Sequence, residues 1–182
     1  MKKSYILSLD ILTAIVGICV MNKDDDKEFY LSHITTKKGL DFWDKLDQVK
    51  IELGKILSRY NIVSFAVEEA VMGFQMGLSS AGVIITLSKF NAVVCSYVRD
   101  CIGVKPIYVK PNAARKFIGI PLMTRKKCGK SQKEQTTDWL VLRENGPLNF
   151  LSVEVTKTGK LRPWVGDRTD AYVVCYYTHK NG

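Results

Sequence analysis

Apolar positions along the chain change period several times, and each change marks an element. Ser4 to Asp10 (SYILSLD) is apolar and ends on an acid, the pattern of a buried strand. Thr13 to Met21 (TAIVGICVM) is rich in β-branched residues and predicts a second strand. The polar run Asn22 to Lys27 between it and a third strand, Glu28 to Thr35, predicts a solvated hairpin tip, and its three aspartates fit that tip better than a metal site. From Leu40 to Tyr60, Trp43, Leu46, Val49, Leu53, Ile56, Leu57 and Tyr60 recur at helical spacing with charges between them. Ile62 to Glu68 (IVSFAVE) is again a buried strand that ends in an acid.

The second half alternates in the same way. A loop over Gly73 to Gly77 leads into a long apolar helix, Leu78 to Val98, expected to be partly a core helix and partly one shared across a dimer interface. Pro106 to Lys110 predicts a strand, Pro111 to Ala114 the start of a short helix, and Gly119 to Lys130 a basic loop. Ser131 can cap a helix running to about Glu144, with Glu134 at capping-box spacing. Asn149 to Thr156 and Lys160 to Trp164 flank Thr158-Gly159, a hairpin pattern at about 149–165. Asp167 opens the last helix, to about Tyr177. The order βββαβαβα, closed by a helix, predicts one α/β domain over residues 1–182, with a mixed five-stranded sheet and helices on both faces.

Charge adds a partner to this picture. The net charge is +9, and Val104 to Lys133 holds Lys105, Lys110, Arg115, Lys116, Arg125, Lys126, Lys127, Lys130 and Lys133 without one acid. A one-sign surface on an otherwise neutral chain predicts a polyanion, with nucleic acid favoured over membrane because no long amphipathic basic helix accompanies it. No apolar run reaches the length expected of a membrane span, and the chain reads as a cytoplasmic protein of a bacterial or phage-infected cell. The five cysteines (Cys19, Cys95, Cys101, Cys128 and Cys175) show no paired spacing. A disulfide framework or zinc site is therefore not expected, and Cys128 is the one expected near the surface.

The candidate chemistry lies in four acids. Asp10 and Glu68 each end a strand, and Asp167 and Asp170 are three apart on one helix face. Side chains from separate segments meet beside strand ends in open α/β sheets. Hard divalent ions such as Mg²⁺ take oxygen ligands, and two of them about 3.5–4 Å apart can promote in-line displacement at a phosphodiester. Each acid alone has a plainer role as a strand terminus or helix cap, whereas an apolar strand running into Glu68-Glu69 needs a reason.

The segments Ile6-Leu7-Ser8-Leu9-Asp10, Phe65-Ala66-Val67-Glu68-Glu69 and Asp167-Arg168-Thr169-Asp170-Ala171 resemble, in order and spacing, the motifs of RuvC-like Holliday junction endonucleases of the RNase H-like superfamily. The compact chain resembles phage-type members, and beside the bacterial members the hairpin at about 149–165 looks like an insertion. The resemblance implies an RNase H-like sheet, two Mg²⁺ or Mn²⁺ ions per site, and a homodimer that nicks paired strands of a four-way junction or other branched DNA. It implies that Asp10, Glu68, Asp167 and Asp170 are catalytic and metal-binding, with Glu68 chosen over Glu69 because it follows Ala66-Val67. Lys130-Ser131-Gln132 resembles a lysine-bearing segment near the family's site, which makes Lys130 a candidate for stabilising transition-state charge. Phe74 is a candidate for stacking on an unpaired base, with a core role as its alternative. Two other functions stay open: a ribonuclease acting on an RNA–DNA hybrid, and a non-catalytic basic nucleic-acid-binding domain. A sugar-kinase-like ATPase is disfavoured, because no glycine-rich phosphate loop follows the first strand.

Overall fold

The computed structural model describes residues 2–69 and 81–182, so Phe74 and the loop around it lie outside the described residues. Three strands, β1 (Tyr5–Ile11), β2 (Ile15–Asn22) and β3 (Phe29–Thr35), form an antiparallel meander. Helix α1 (Phe42–Arg59) then crosses to β4 (Ile62–Glu68), and helix α2 (Ala81–Ile102) to β5 (Pro106–Val109). Both β4 and β5 are parallel to β1, which gives a mixed sheet of order β3-β2-β1-β4-β5. The predicted five-stranded architecture is therefore the observed one.

Alternation along the strands builds two cores. Leu7, Leu9, Val16, Ile18, Phe65 and Val67 pack with Leu46, Val49 and Leu53 of α1 and with Phe90, Val94 and Val98 of α2. The opposite pleat (Ile6, Cys19, Met21 and Ala66) packs against α6 (Pro163–Asn181) through Ala171 and Val174, with α3 (Pro111–Phe117) contributing Ala114. Asp10 and Glu68 share the parity of Ile6 and Ala66, and both turn toward α6.

Several boundaries differ from those expected. α6 begins at Pro163, with Pro at the first helical turn and Arg162 as N-cap, so Asp167 falls inside the helix rather than at its start. Residues 119–130 include a short helix, α4 (Arg125–Cys128), ended by Gly129 at a φ of 74°. The Ser131 cap forms as expected: Ser131 Oγ accepts from Glu134 N, and Glu134 Oε2 accepts from Ser131 N. The helix it opens, α5 (Gln132–Thr137), passes into a wider π turn over Asp138–Leu142. Asn149–Val153 is a 3-10 helix where a strand was expected, and only the Val155–Leu161 bridge of the expected hairpin forms.

Two further expectations are corrected. Cys101 is exposed and Cys128 half-buried, although Cys101 stands in an apolar run. α2, with 22 residues, is long and apolar enough to cross a membrane, contrary to the reading of run lengths in the sequence. One face of it nonetheless packs on the sheet through Phe90, Val94 and Val98.

Candidate active site

The last pairing between β1 and β4 sets Leu9 beside Val67, so the next residues, Asp10 and Glu68, lie side by side at the same sheet end. Across β1, Asp10 pairs with Gly17 of β2. A Cβ at Gly17 would lie 2.1 Å from the Asp167 carbonyl oxygen. The missing side chain therefore lets the α6 backbone press onto β2 and brings Asp167 to Asp10. Ser8 Oγ of β1 donates to the Ala171 carbonyl, and one turn of α6 carries Asp170 to the same end. Thus three segments remote in sequence deliver Asp10, Glu68, Asp167 and Asp170 to one place.

Asp10, Asp167 and Asp170 are 6%, 4% and 3% exposed. Such burial is untenable for bare carboxylates, and two cations answer it. Lys133 Nζ lies 2.6 Å from Asp167 Oδ1, 3.0 Å from Asp10 Oδ2 and 3.1 Å from Asp170 Oδ2. From the other side Arg115 donates through a terminal nitrogen to Asp170 Oδ1 at 2.8 Å. Burial raises the Asp10 carboxyl to about 7, with Lys133 opposing and the Asp170 and Asp167 charges adding to the rise. Burial likewise raises Glu68 to about 8, reinforced by Asp10 and Asp170 and opposed by Arg115 and Lys133. For Lys133 burial works downward, but the three aspartates outweigh it and keep the ammonium charged.

The basic residues divide by position. Lys130 is exposed and pairs with Asp138 at 2.6 Å, so the lysine facing the carboxylates is Lys133 rather than Lys130. Lys133 passes over Gly166, where a Cβ would stand 3.0 Å from Lys133 Cε. Arg115, expected on the surface, is only 6% exposed and turns inward to Asp170. Lys105, Lys110, Lys116, Arg125, Lys126 and Lys127 are exposed, as a phosphate-facing surface requires. Beside Asp167, Arg168 bonds His33 of β3 and pairs with Glu154 at 2.6 Å, and Glu154 also accepts from Trp164 Nε1. This network fastens residues 154–164 to the edge of the site.

Three carboxylate oxygens converging on one cation are the donors a hard divalent ion takes, and their mutual repulsion calls for positive charge at that point. Among the described residues no three Asp, Glu, His or Cys side chains form a ready metal cage, because the oxygens close on the Lys133 ammonium. The donor set fits Mg²⁺ or Mn²⁺ in kind once that ammonium, on a flexible four-carbon stem, draws aside.

No family model and no curated protein matches the chain. Its fold does match solved structures. Thermus thermophilus RuvC in complex with a Holliday junction substrate has a TM-score of 0.59 at 12% identity, covering 100% of this chain and 97% of that one. A second structure of Thermus thermophilus RuvC has a TM-score of 0.57 at 15% identity, over 95% of this chain and 92% of that one. The yeast mitochondrial Holliday junction resolvase Ydc2 has a TM-score of 0.60 at 12% identity, over 98% and 79%. The mixed sheet with helices on both sides is thus the RNase H-like fold of these resolvases. At such identities the likeness is one of fold, and the chemistry has to come from the site.

Proposed function

We propose that the chain is a metal-dependent, structure-selective endonuclease that cuts four-way junctions or other branched DNA. The observation that carries this reading is the convergence of Asp10, Glu68, Asp167 and Asp170 around Lys133 at one sheet end of an RNase H-like fold. In this reading Asp10, Asp167 and Asp170 hold Mg²⁺ or Mn²⁺, two ions per site, with Glu68 completing the set from β4. Divalent ions bound there supply Lewis-acid activation of water and neutralise charge on the leaving oxygen. Lys133 presents its ammonium to the non-bridging oxygens of the phosphate as charge gathers on them. The exposed lysines and Arg125 on the segment through α3 and α4 position the backbone without reading bases, which suits recognition of a branch by shape.

We further propose that the chain works as a homodimer. Each copy has one carboxylate cluster, and a junction needs two cuts related by two-fold symmetry. Part of the apolar surface of α2, including Ile85 at 53% exposed, is left uncovered by the described residues and supports pairing there.

The test uses a synthetic four-way junction, a linear duplex and an RNA–DNA hybrid, each incubated with Mg²⁺ or EDTA, beside Asp10→Asn and Asp170→Asn. Junction cleavage confined to the wild-type chain with Mg²⁺ is expected. Cutting that survives EDTA or either substitution would sink the metal mechanism. Equal cutting of junction and duplex would leave a nuclease without branch selectivity, and preference for the hybrid would make it a ribonuclease.

A further inference from the structure

Arg115 does not do what its place in the basic segment suggests. Lys110, the N-cap of α3, and Lys116 within α3 are exposed, while the Arg115 side chain is buried and ends on Asp170. Only one terminal nitrogen is seen to bond there, and Arg115 Nε is buried with no partner among the described residues. A half-satisfied guanidinium is a poor way to fasten α3 to α6, because two apolar side chains of similar volume would pack those helices at no desolvation cost. What they could not do is select one oxygen of Asp170. Arg115 occupies Oδ1, and Oδ2 is the atom turned to the point where Asp10 Oδ2 and Asp167 Oδ1 converge.

We propose that Arg115 is the positioning residue of the site: it holds Asp170 Oδ1 so that Asp170 offers a single oxygen, Oδ2, to the ion-binding centre. The inference rests on the reading of that centre as a divalent-ion site. The role carries an opposing pair of effects. The guanidinium charge weakens the attraction of the cluster for cations, while the fixed carboxylate sets the geometry in which a bound ion is useful. Removing Arg115 should therefore tighten ion binding and slow the reaction, whereas general loosening of the fold would weaken both.

The test compares wild type, Arg115→Gln, Arg115→Lys, Asp170→Asn and the double variant Arg115→Gln/Asp170→Asn. Mn²⁺ binding is measured by calorimetry without DNA, junction binding in EDTA, and turnover at saturating metal. For Arg115→Gln we expect Mn²⁺ affinity raised about tenfold, turnover lowered at least tenfold and junction affinity unchanged. Arg115→Lys should keep the wild-type Mn²⁺ affinity and recover part of the turnover. In the Asp170→Asn background the lost charge should still tighten Mn²⁺ binding, but by clearly less than beside Asp170.

A fall in junction affinity with a shallower salt dependence would make Arg115 a phosphate contact and overturn the proposal. Equal effects of Arg115→Gln with and without Asp170 would do the same, by showing that Arg115 does not act through Asp170. Should Arg115→Gln not fold, Arg115→Lys decides: a shifted Mn²⁺ affinity there overturns the proposal. If wild type cuts no DNA at all, the nuclease reading fails while the calorimetric cycle still judges Arg115.

Discussion

Lys130 and Lys133 stand on either side of the Ser131 capping box at the N-terminus of α5, and only Lys133 meets the carboxylates. Lys130 precedes the cap and turns to Asp138, whereas Lys133, in the first turn, passes over Gly166 to the centre of the site. Lys130→Ala should therefore leave cleavage within a few-fold of wild type. Lys133→Met should cost about 10²-fold or more, the scale of losing one transition-state donor, as read by single-turnover cleavage of a junction. The reverse ranking would return the role to Lys130. The four acids could be picked out in the sequence, since strand parity and a spacing of three are local properties. The choice between two lysines was not local, because Lys133 meets the acids only once α5 lies on α6, where Gly166 leaves room for its side chain. Arg115 escaped for a related reason: along the chain it is one more basic residue, and only the docking of α3 on α6 turns it inward.

At the level of elements, the site depends on how closely α6 approaches β2. Gly17 is the point of contact, with no room for a side chain against the Asp167 carbonyl. Gly17→Ala must push the helix away, at a cost of about 1–3 kcal/mol typical of overpacking. The aspartates on α6 retreat from Asp10 at the same time. Chemical denaturation should report that loss, and cleavage should fall further than stability alone accounts for, whereas an alanine tolerated in both assays would refute the close approach. The meander and the two crossover helices were legible from hydrophobic period, because those elements bury a continuous face. The start of α6 was misplaced because acids favour a helix N-terminus, a weak electrostatic preference that Pro163 at the first turn overrides. Of the paired strands expected over Asn149–Thr156 and Lys160–Trp164, only the part around the Val155–Leu161 bridge forms. The backbone over Asn149–Val153 instead turns through a 3-10 helix, and Glu154 is held by Arg168 and Trp164 of α6, partners that no local pattern shows.

For the whole molecule, the cluster makes stability, proton binding and ion binding a single linked problem. Asp10 is held at about 7 and Glu68 at about 8, above their ordinary values of 3.8 and 4.5. A raised carboxyl means that the folded chain keeps protons that the unfolded chain has already released between about pH 4 and 8. Folding is therefore favoured by these two groups at low pH, and their contribution is lost as pH rises through 7 and 8. Without metal, the Tm should fall as pH climbs from 5 to 8.5, by an amount on the order of a few kcal/mol in stability. Divalent ions require the same oxygens bare, so their affinity rises over the same interval and binding releases protons. The stabilisation conferred by Mg²⁺ should consequently grow with pH while the metal-free protein weakens. Thermal unfolding in EDTA and in millimolar Mg²⁺ from pH 5 to 8.5 reads both curves. A flat curve in EDTA would deny the raised carboxyls, and a Mg²⁺ increment independent of pH would deny that the ions bind at those oxygens. Lys133→Met sharpens the comparison, because it removes the cation that stabilises the metal-free cluster: its Tm in EDTA should drop most at high pH, and Mg²⁺ should restore it.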